Sequence, residues 1–202
     1  MSNQKRKYEL RTRAKQQEET RQRIVQATVA LHEEVGPAHS TVAEIARRAG
    51  VSRLTVYNHF PQEQELFAAC QRSFLTEHPL PDYAPALALD DPHDRLQAVL
   101  RELYQSYRAR EPMTSKVLRD RSSLPALDQL MQRTMDAQEA HLTEVLATPF
   151  HARGKKAQRL HAVIRLALDF STWQRLKNEG LGDPTAAALM ADLVACTTRS
   201  SR

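Results

Sequence analysis

A chain of 202 residues with 41% hydrophobic and 26% charged side chains and only five glycines is long enough for a real core, and its balance suits a mostly helical protein rather than a β-rich or disordered one. No run of about 18 apolar residues occurs, and the N-terminus MSNQKRKYELRTRAK lacks an apolar stretch, so membrane insertion and secretion are not indicated and a cytoplasmic location is expected. The net charge of +5 is all carried by residues 1–23, which hold eight Lys or Arg against three Glu, while Cys70 and Cys196 form no C-x-x-C pair and read as reduced thiols.

Taken in chain order, residues 1–19 predict a basic N-terminal arm. Such an arm suits a polyanion, because each cation that neutralises a phosphate releases condensed counterions. Arg13 and Lys15 in the arm, and Arg21 just after it, are candidate DNA contacts; the alternative is a solvated tail that only aids solubility. From Thr20 a helix is predicted, with Ile24, Ala27, Leu31 and Val35 at helical spacing and Gly36-Pro37 at its end. Thr41-Val42-Ala43-Glu44 then reads as a capping box in front of Ile45, Ala46 and Ala49. Gly50 stops that helix, and Ser52 caps a second one starting at Arg53. Helix, tight turn and helix, with small Ala46 and Ala49 at the crossing, is the spacing of a helix-turn-helix. With Val51 and Val56 turned inward, Arg53, Leu54, Thr55, Tyr57, Asn58 and His59 are left for the outer face. Pro61 ends the short helix, and the next one carries Leu66, Phe67 and Cys70 on its apolar side.

The span from Thr20 to Phe67 resembles the N-terminal domain of the tetracycline-repressor (TetR) family of bacterial transcriptional regulators. The likeness rests on TVAEIARRAGVS, on Thr55-Val56-Tyr57, and on His59-Phe60-Pro61 followed by Leu66. It implies an all-α protein: a three-helix DNA-binding domain over 20–67 and a helical effector-binding and dimerisation domain over 68–202. It also implies that Thr41 and Ser52 sit at helix N-termini facing phosphates, that Arg53, Leu54, Thr55 and Asn58 lie along the major groove, and that Tyr57 and His59 hold the DNA backbone. The side-chain chemistry agrees: Arg53 can pair bidentately with guanine, Asn58 with adenine, and Leu54 can pack on a thymine methyl. Glu63 departs from the pattern, standing where the family usually has a lysine that touches phosphate; a carboxylate does suit the positive end of a helix.

Beyond His78 the likeness is faint. Prolines 79, 81, 85 and 92 mark a connecting segment, and Asp91-Pro92-His93-Asp94 reads as a cap opening a helix rather than as a metal site. Leu96, Val99, Leu100, Leu103 and Tyr107 form a helical stripe that Pro112 is expected to interrupt, with a shorter helix around Val117 and Leu118. After Pro125 one helix is predicted through Leu127, Leu130, Met131, Met135, Leu142, Val145 and Leu146, then a long one over 157–179 and a last one over 184–198. The last two are apolar over a wide arc, which calls for cover on two sides. Family resemblance implies a four-helix bundle with a second subunit, with Leu160, Ile164, Leu168, Leu189, Met190 and Leu193 as expected interface residues. A small-molecule effector pocket is expected at Leu103, Tyr107, Met131, Met135, His141, Phe170 and Trp173, against the plainer reading that these are core. No G-x-S-x-G, P-loop or H-E-x-x-H occurs, and neither His32-Glu33-Glu34 nor the pair His141 and Glu144 completes a ligand set, so no enzyme activity, cofactor or metal is expected. The expected function is a dimeric, ligand-released repressor on a pseudo-palindromic double-stranded operator; the alternative is a helical adaptor that keeps the fold and binds protein, or DNA without specificity.

Overall fold

The computed structural model describes the backbone of residues 2–198 and side chains from Lys7 to Thr197, so the side chains of Lys5 and Arg6 lie outside the described residues. Among those residues there is no strand. Two compact units form, one from the N-terminal segment through Pro79 together with Pro112–Leu130, the other from Leu80–Glu111 together with the chain from Met131 onward.

In the first unit, α1 (Ser2–Glu34) is a single helix of 33 residues, so the expected arm and the expected helix are one element. Only its last turns are apolar on one side. Ile24, Val25, Ala27 and Leu31 are buried against α2 (Val42–Ala49) and α4 (Glu63–Glu77), whose Leu66, Phe67, Ala69 and Cys70 complete the core. Val35 departs from its expected place: the helix has ended at Glu34, and Val35 is 41% exposed. α4 runs across the boundary expected at residue 67 and continues to Glu77.

The loop after α1 is held from a distant part of the sequence. Gly36 has φ +95°, and its neighbours donate and accept outward: the Ala38 amide donates to the Asp120 carboxylate (3.1 Å), and Arg119 Nη2 donates to the Val35 carbonyl (2.9 Å). Asp120 is almost fully buried, and its salt bridge with Arg119 (2.6 Å) holds its carboxyl below the usual carboxylate range. His32, 5% exposed and beside the Phe67 ring, is pushed by burial from 6.5 down to about 4, against the attraction of Asp120. The unfolded chain therefore takes up a proton below pH 6.5 that the folded chain refuses until about pH 4, and stability falls as pH drops through that window. Thermal midpoints followed from pH 7 to pH 4 should fall less steeply in His32→Gln, and equal slopes in the two proteins would refute this.

In the second unit, α5 (Ala84–Leu87) is one turn, and α6 (Pro92–Asp120), of which the residues through Glu111 belong to this unit, starts where Asp91 Oδ1 accepts the His93 and Asp94 amides at 2.8 and 3.0 Å. Pro112 does not interrupt α6 as expected. Its ring lies on the exposed side of the helix, so the Arg108 carbonyl that loses its amide donor can turn to water, and one lost rung is tolerated. Leu96, Val99, Leu100, Leu103, Tyr104 and Tyr107 are buried along its first half.

Of the two long helices expected next, the first is continuous but carries a π-turn, and the second is broken. α7 (Pro125–Met131) and α8 (Ala137–Ala147) are joined by a π-turn over Gln132–Asp136, and the extra residue rotates the apolar stripe. Leu142 and Leu146 remain buried, Met135 is half-buried and His141 is exposed. The expected helix over 157–179 is α9 (Gly154–Leu168) and α10 (Phe170–Asn178), separated at Asp169 (φ −70°, ψ 132°). Asp169 caps α10 by accepting the Thr172 amide at 2.9 Å. The carbonyls freed at the end of α9 accept from buried phenols of α6, Tyr104 onto Ala167 (2.8 Å) and Tyr107 onto Leu168 (2.6 Å). α11 (Asp183–Thr198) packs on α9, and α10 lies against both.

Candidate nucleic-acid interface

Local chemistry builds the reading pair as expected. Thr41 Oγ1 accepts the Glu44 amide at 3.2 Å to start α2, and Gly50, with φ 66° and ψ 41°, ends it in the left-handed conformation that lets the Val51 amide return to the Ala46 carbonyl (3.0 Å). Ser52 Oγ accepts the Thr55 amide at 3.1 Å and lies 2.8 Å from the Thr55 hydroxyl, starting α3 (Arg53–His59). Of the seven residues in α3 only Val56 is buried, at 1% exposure. It is pinned among Ile45, Ala49 and Phe60 of the same core cluster. Leu54 is 67% and Tyr57 54% exposed, Arg53 and Asn58 are exposed, and Thr55 and His59 are half-buried. A helix that buries one residue gains almost nothing from packing, so its outer face is free to be chosen for something outside the protein.

The charges around the pair divide into those already satisfied and those left open. Glu44 does not reach back to close the expected capping box; its carboxylate takes Arg47 (2.5 Å) and Arg48 (3.0 Å), and Arg48 also holds Glu34 at the end of α1 (2.6 Å). These guanidinium donors hold the Glu44 carboxyl far below the usual range. Arg53 makes no ion pair among the described residues, and it stands as the open cation of the outer face. Arg21, expected on DNA, is engaged inside the domain: its Nη1 donates to the His59 carbonyl (3.3 Å) and its guanidinium lies 4.2 Å from the Phe60 ring centre. Arg23 does the same for α2, donating to the Ala49 carbonyl at 3.1 Å. Both arginines satisfy carbonyls at helix C-termini, where a cation is favoured. Arg23, Arg47, Arg48 and Glu34 were not among the residues expected from the sequence; the Glu44 to Arg48 spacing of four was a readable signal, and the Glu34 to Arg48 contact was not. Arg13 and Lys15 are exposed on α1, and Glu63 is the exposed first residue of α4.

The other expected sites fare differently. Tyr107, Phe170 and Trp173 do converge, with ring centres 5.2–5.8 Å apart, but as packed core with Leu103 buried alongside. Met131 is buried, Met135 is half-buried and His141 is exposed. Leu160, Ile164, Leu168 and Met190 are at most 3% exposed within the single chain, which corrects their assignment to a subunit interface. Leu189 and Leu193 stay 41% and 47% exposed, and Leu166 at 53% joins them. The Asp91, His93 and Asp94 group serves the α6 cap, and His93 Nε2 is 2.8 Å from Asp192.

A buried three-helix support presenting a free polar helix defines a helix-turn-helix module. Residues 24–70 match the model of the tetR family of bacterial regulatory proteins. BetI of Yersinia pestis (strain Pestoides F), a helix-turn-helix transcriptional regulator, is 35% identical over 82 residues, covering 39% of this chain and 41% of its own length. SrpR of Pseudomonas putida, another, is 40% identical over 81 residues, 40% of this chain and 37% of its own. The chain thus spans about two fifths of the length of these curated relatives. Among solved structures, NalD, the secondary repressor of the MexAB-OprM multidrug efflux pump in Pseudomonas aeruginosa, is 25% identical with a TM-score of 0.60 over 91% of this chain and 97% of its own. Residues 24–70 are thus similar to the DNA-binding domain of TetR-family transcriptional regulators, and the chain as a whole shares the fold of NalD. No helix among the described residues is long and apolar enough to cross a membrane.

Proposed function

We propose that the protein is a cytoplasmic repressor that binds a pseudo-palindromic operator as a homodimer and is released by a small-molecule effector. The observation that carries the reading is α3 itself, which buries Val56 alone and leaves Arg53, Leu54, Tyr57 and Asn58 on its outer face. Arg53, Leu54, Thr55 and Asn58 read base edges, and Thr41, Ser52, Tyr57 and His59 position the backbone, joined by Arg13 and Lys15. Leu189 and Leu193, one helical turn apart and exposed on α11, and exposed Leu166 on α9 are the apolar residues a second subunit covers. Two heads related by a two-fold axis require half-sites roughly 34–36 Å apart. The effector binds the second unit, and the likeness to NalD, named as a repressor, supports the repressor part of this reading. Its coupling to DNA is reciprocal: whatever factor it costs the operator, the operator costs it.

Selection of bound duplexes from a random pool tests the reading, with recovery of an inverted repeat as the expected outcome. Salt-sensitive binding without a repeat, or none, would favour the adaptor. On the recovered operator, Asn58→Ala should cost about 1–3 kcal/mol and relax preference at one base pair, whereas Tyr57→Phe should weaken all sequences alike. Equal loss of preference in both variants would sink the division of roles.

A further inference from the structure

The reading heads account for the end of α1 from Thr20 onward, and among the described side chains those from Lys7 to Glu19 bury almost nothing against the domain. These residues continue the same helix. From Lys7 to Glu19 every side chain is exposed except half-buried Thr12, and even Tyr8 (72%) and Leu10 (60%) find no cover. The other end of α1 is fixed by Arg119 and Asp120 on the loop after it, and the middle by Arg21 and Arg23 on the ends of α3 and α2. The free segment therefore emerges beside both helices of the reading pair.

Its charge is arranged. Lys7, Arg11 and Lys15 recur every four residues, which puts them on one face of the helix, and the single ion pair among them, Lys15 to Glu19 at 3.8 Å, lies at the base of the stripe and is highly exposed. Eighteen residues of helix reach about 27 Å, or about 8 bp of duplex at the 3.4 Å spacing along one strand. A helix with no buried face is marginal in water, so this one gains most from a surface that covers its cations. Resting on the operator-binding reading above, we propose that the first five turns of α1 form a helical arm that lies on the phosphate backbone of DNA flanking each half-site, with Lys7, Arg11 and Lys15 as its contacts. The arm adds affinity without reading sequence, and it lengthens the DNA a dimer occupies.

The test uses the full chain, the Lys7→Gln/Arg11→Gln/Lys15→Gln variant, and two duplexes carrying the selected operator, one trimmed to the half-sites and one longer by about 10 bp on each side. The wild type should bind the longer duplex about ten-fold more tightly at moderate salt, the variant should bind both lengths as the wild type binds the short one, and the salt slope on the long duplex should drop by about five per dimer for six lost phosphate contacts. Equal wild-type affinity for the two lengths, or a length gain that survives in the variant, overturns the proposal. The gain should persist when the flanks are scrambled; dependence on their sequence would overturn the backbone assignment. Poor wild-type binding to the trimmed duplex together with an intact length gain would count against the reading heads and support the arm.

Discussion

Trp173→Ala is expected to lower unfolding free energy by about 3–5 kcal/mol, the range for truncating a fully buried aromatic residue. Trp173 is 0% exposed, packs on Tyr107 and Phe170, and donates its Nε1 hydrogen to Asp183 Oδ1 at 3.0 Å. Asp183 is otherwise held by Arg108 in a two-pronged pair at 2.7 and 2.8 Å, and it opens α11. Alanine thus leaves a cavity where α6, α10 and α11 meet and removes one donor from a largely buried carboxylate. Trp173→Phe should lose less, since it keeps a ring and forfeits chiefly the hydrogen bond, worth about 1.5–3 kcal/mol to a charged acceptor. Trp173 is the single tryptophan, so urea unfolding of the variants must be followed by circular dichroism. A loss below about 1 kcal/mol in the alanine variant would contradict the packing described.

Gly36→Ala should destabilise the DNA-binding unit by about 2–4 kcal/mol, combining the strain of a positive φ with disruption of charged hydrogen bonds. At φ +95° an added Cβ would lie 2.5 Å from Asp120 Oδ2 and closer still to Arg119 Nη2, so it must displace the pair that holds Val35 and Ala38. The double variant Gly36→Ala/Asp120→Ala should cost less than the sum of the single changes, because the second removes an atom the first collides with. Strict additivity in denaturant melts would mean that backbone strain alone is at work. This contact is absent from any local reading, since Gly36 and Asp120 are 84 residues apart and the turn at Gly36-Pro37 looks complete by itself.

What was legible in the sequence is what short-range chemistry decides. Thr41, Gly50 and Ser52 act on residues within four positions, and the reading pair they delimit is present with the bounds their spacing implies. The first five turns of α1 were legible as charge but not as helix, because periodicity marks a helix only where one face is buried. Pro112 was misjudged for the opposite reason: a local breaker was overruled by burial along the rest of α6. The break at Asp169 has no proline or glycine to announce it, only the N-cap chemistry of Asp169 itself. Leu160, Ile164 and Leu168 carried the right signal, a helix apolar on two sides, but sequence alone does not say whether the second cover comes from the same chain.

That break has a further consequence for how the C-terminal part can be handled. Half of the instruction to bend is written on α6, in two phenols about sixty residues upstream, and only the Asp169 cap lies on the bent segment. Helices α9 and α10 grafted onto another scaffold, without Tyr104 and Tyr107 to receive their loose carbonyls, would have reason to fuse into one straight rod. The shape of this region is inherited in part from its partner helix, and any exchange of modules between relatives has to carry α6 along with it.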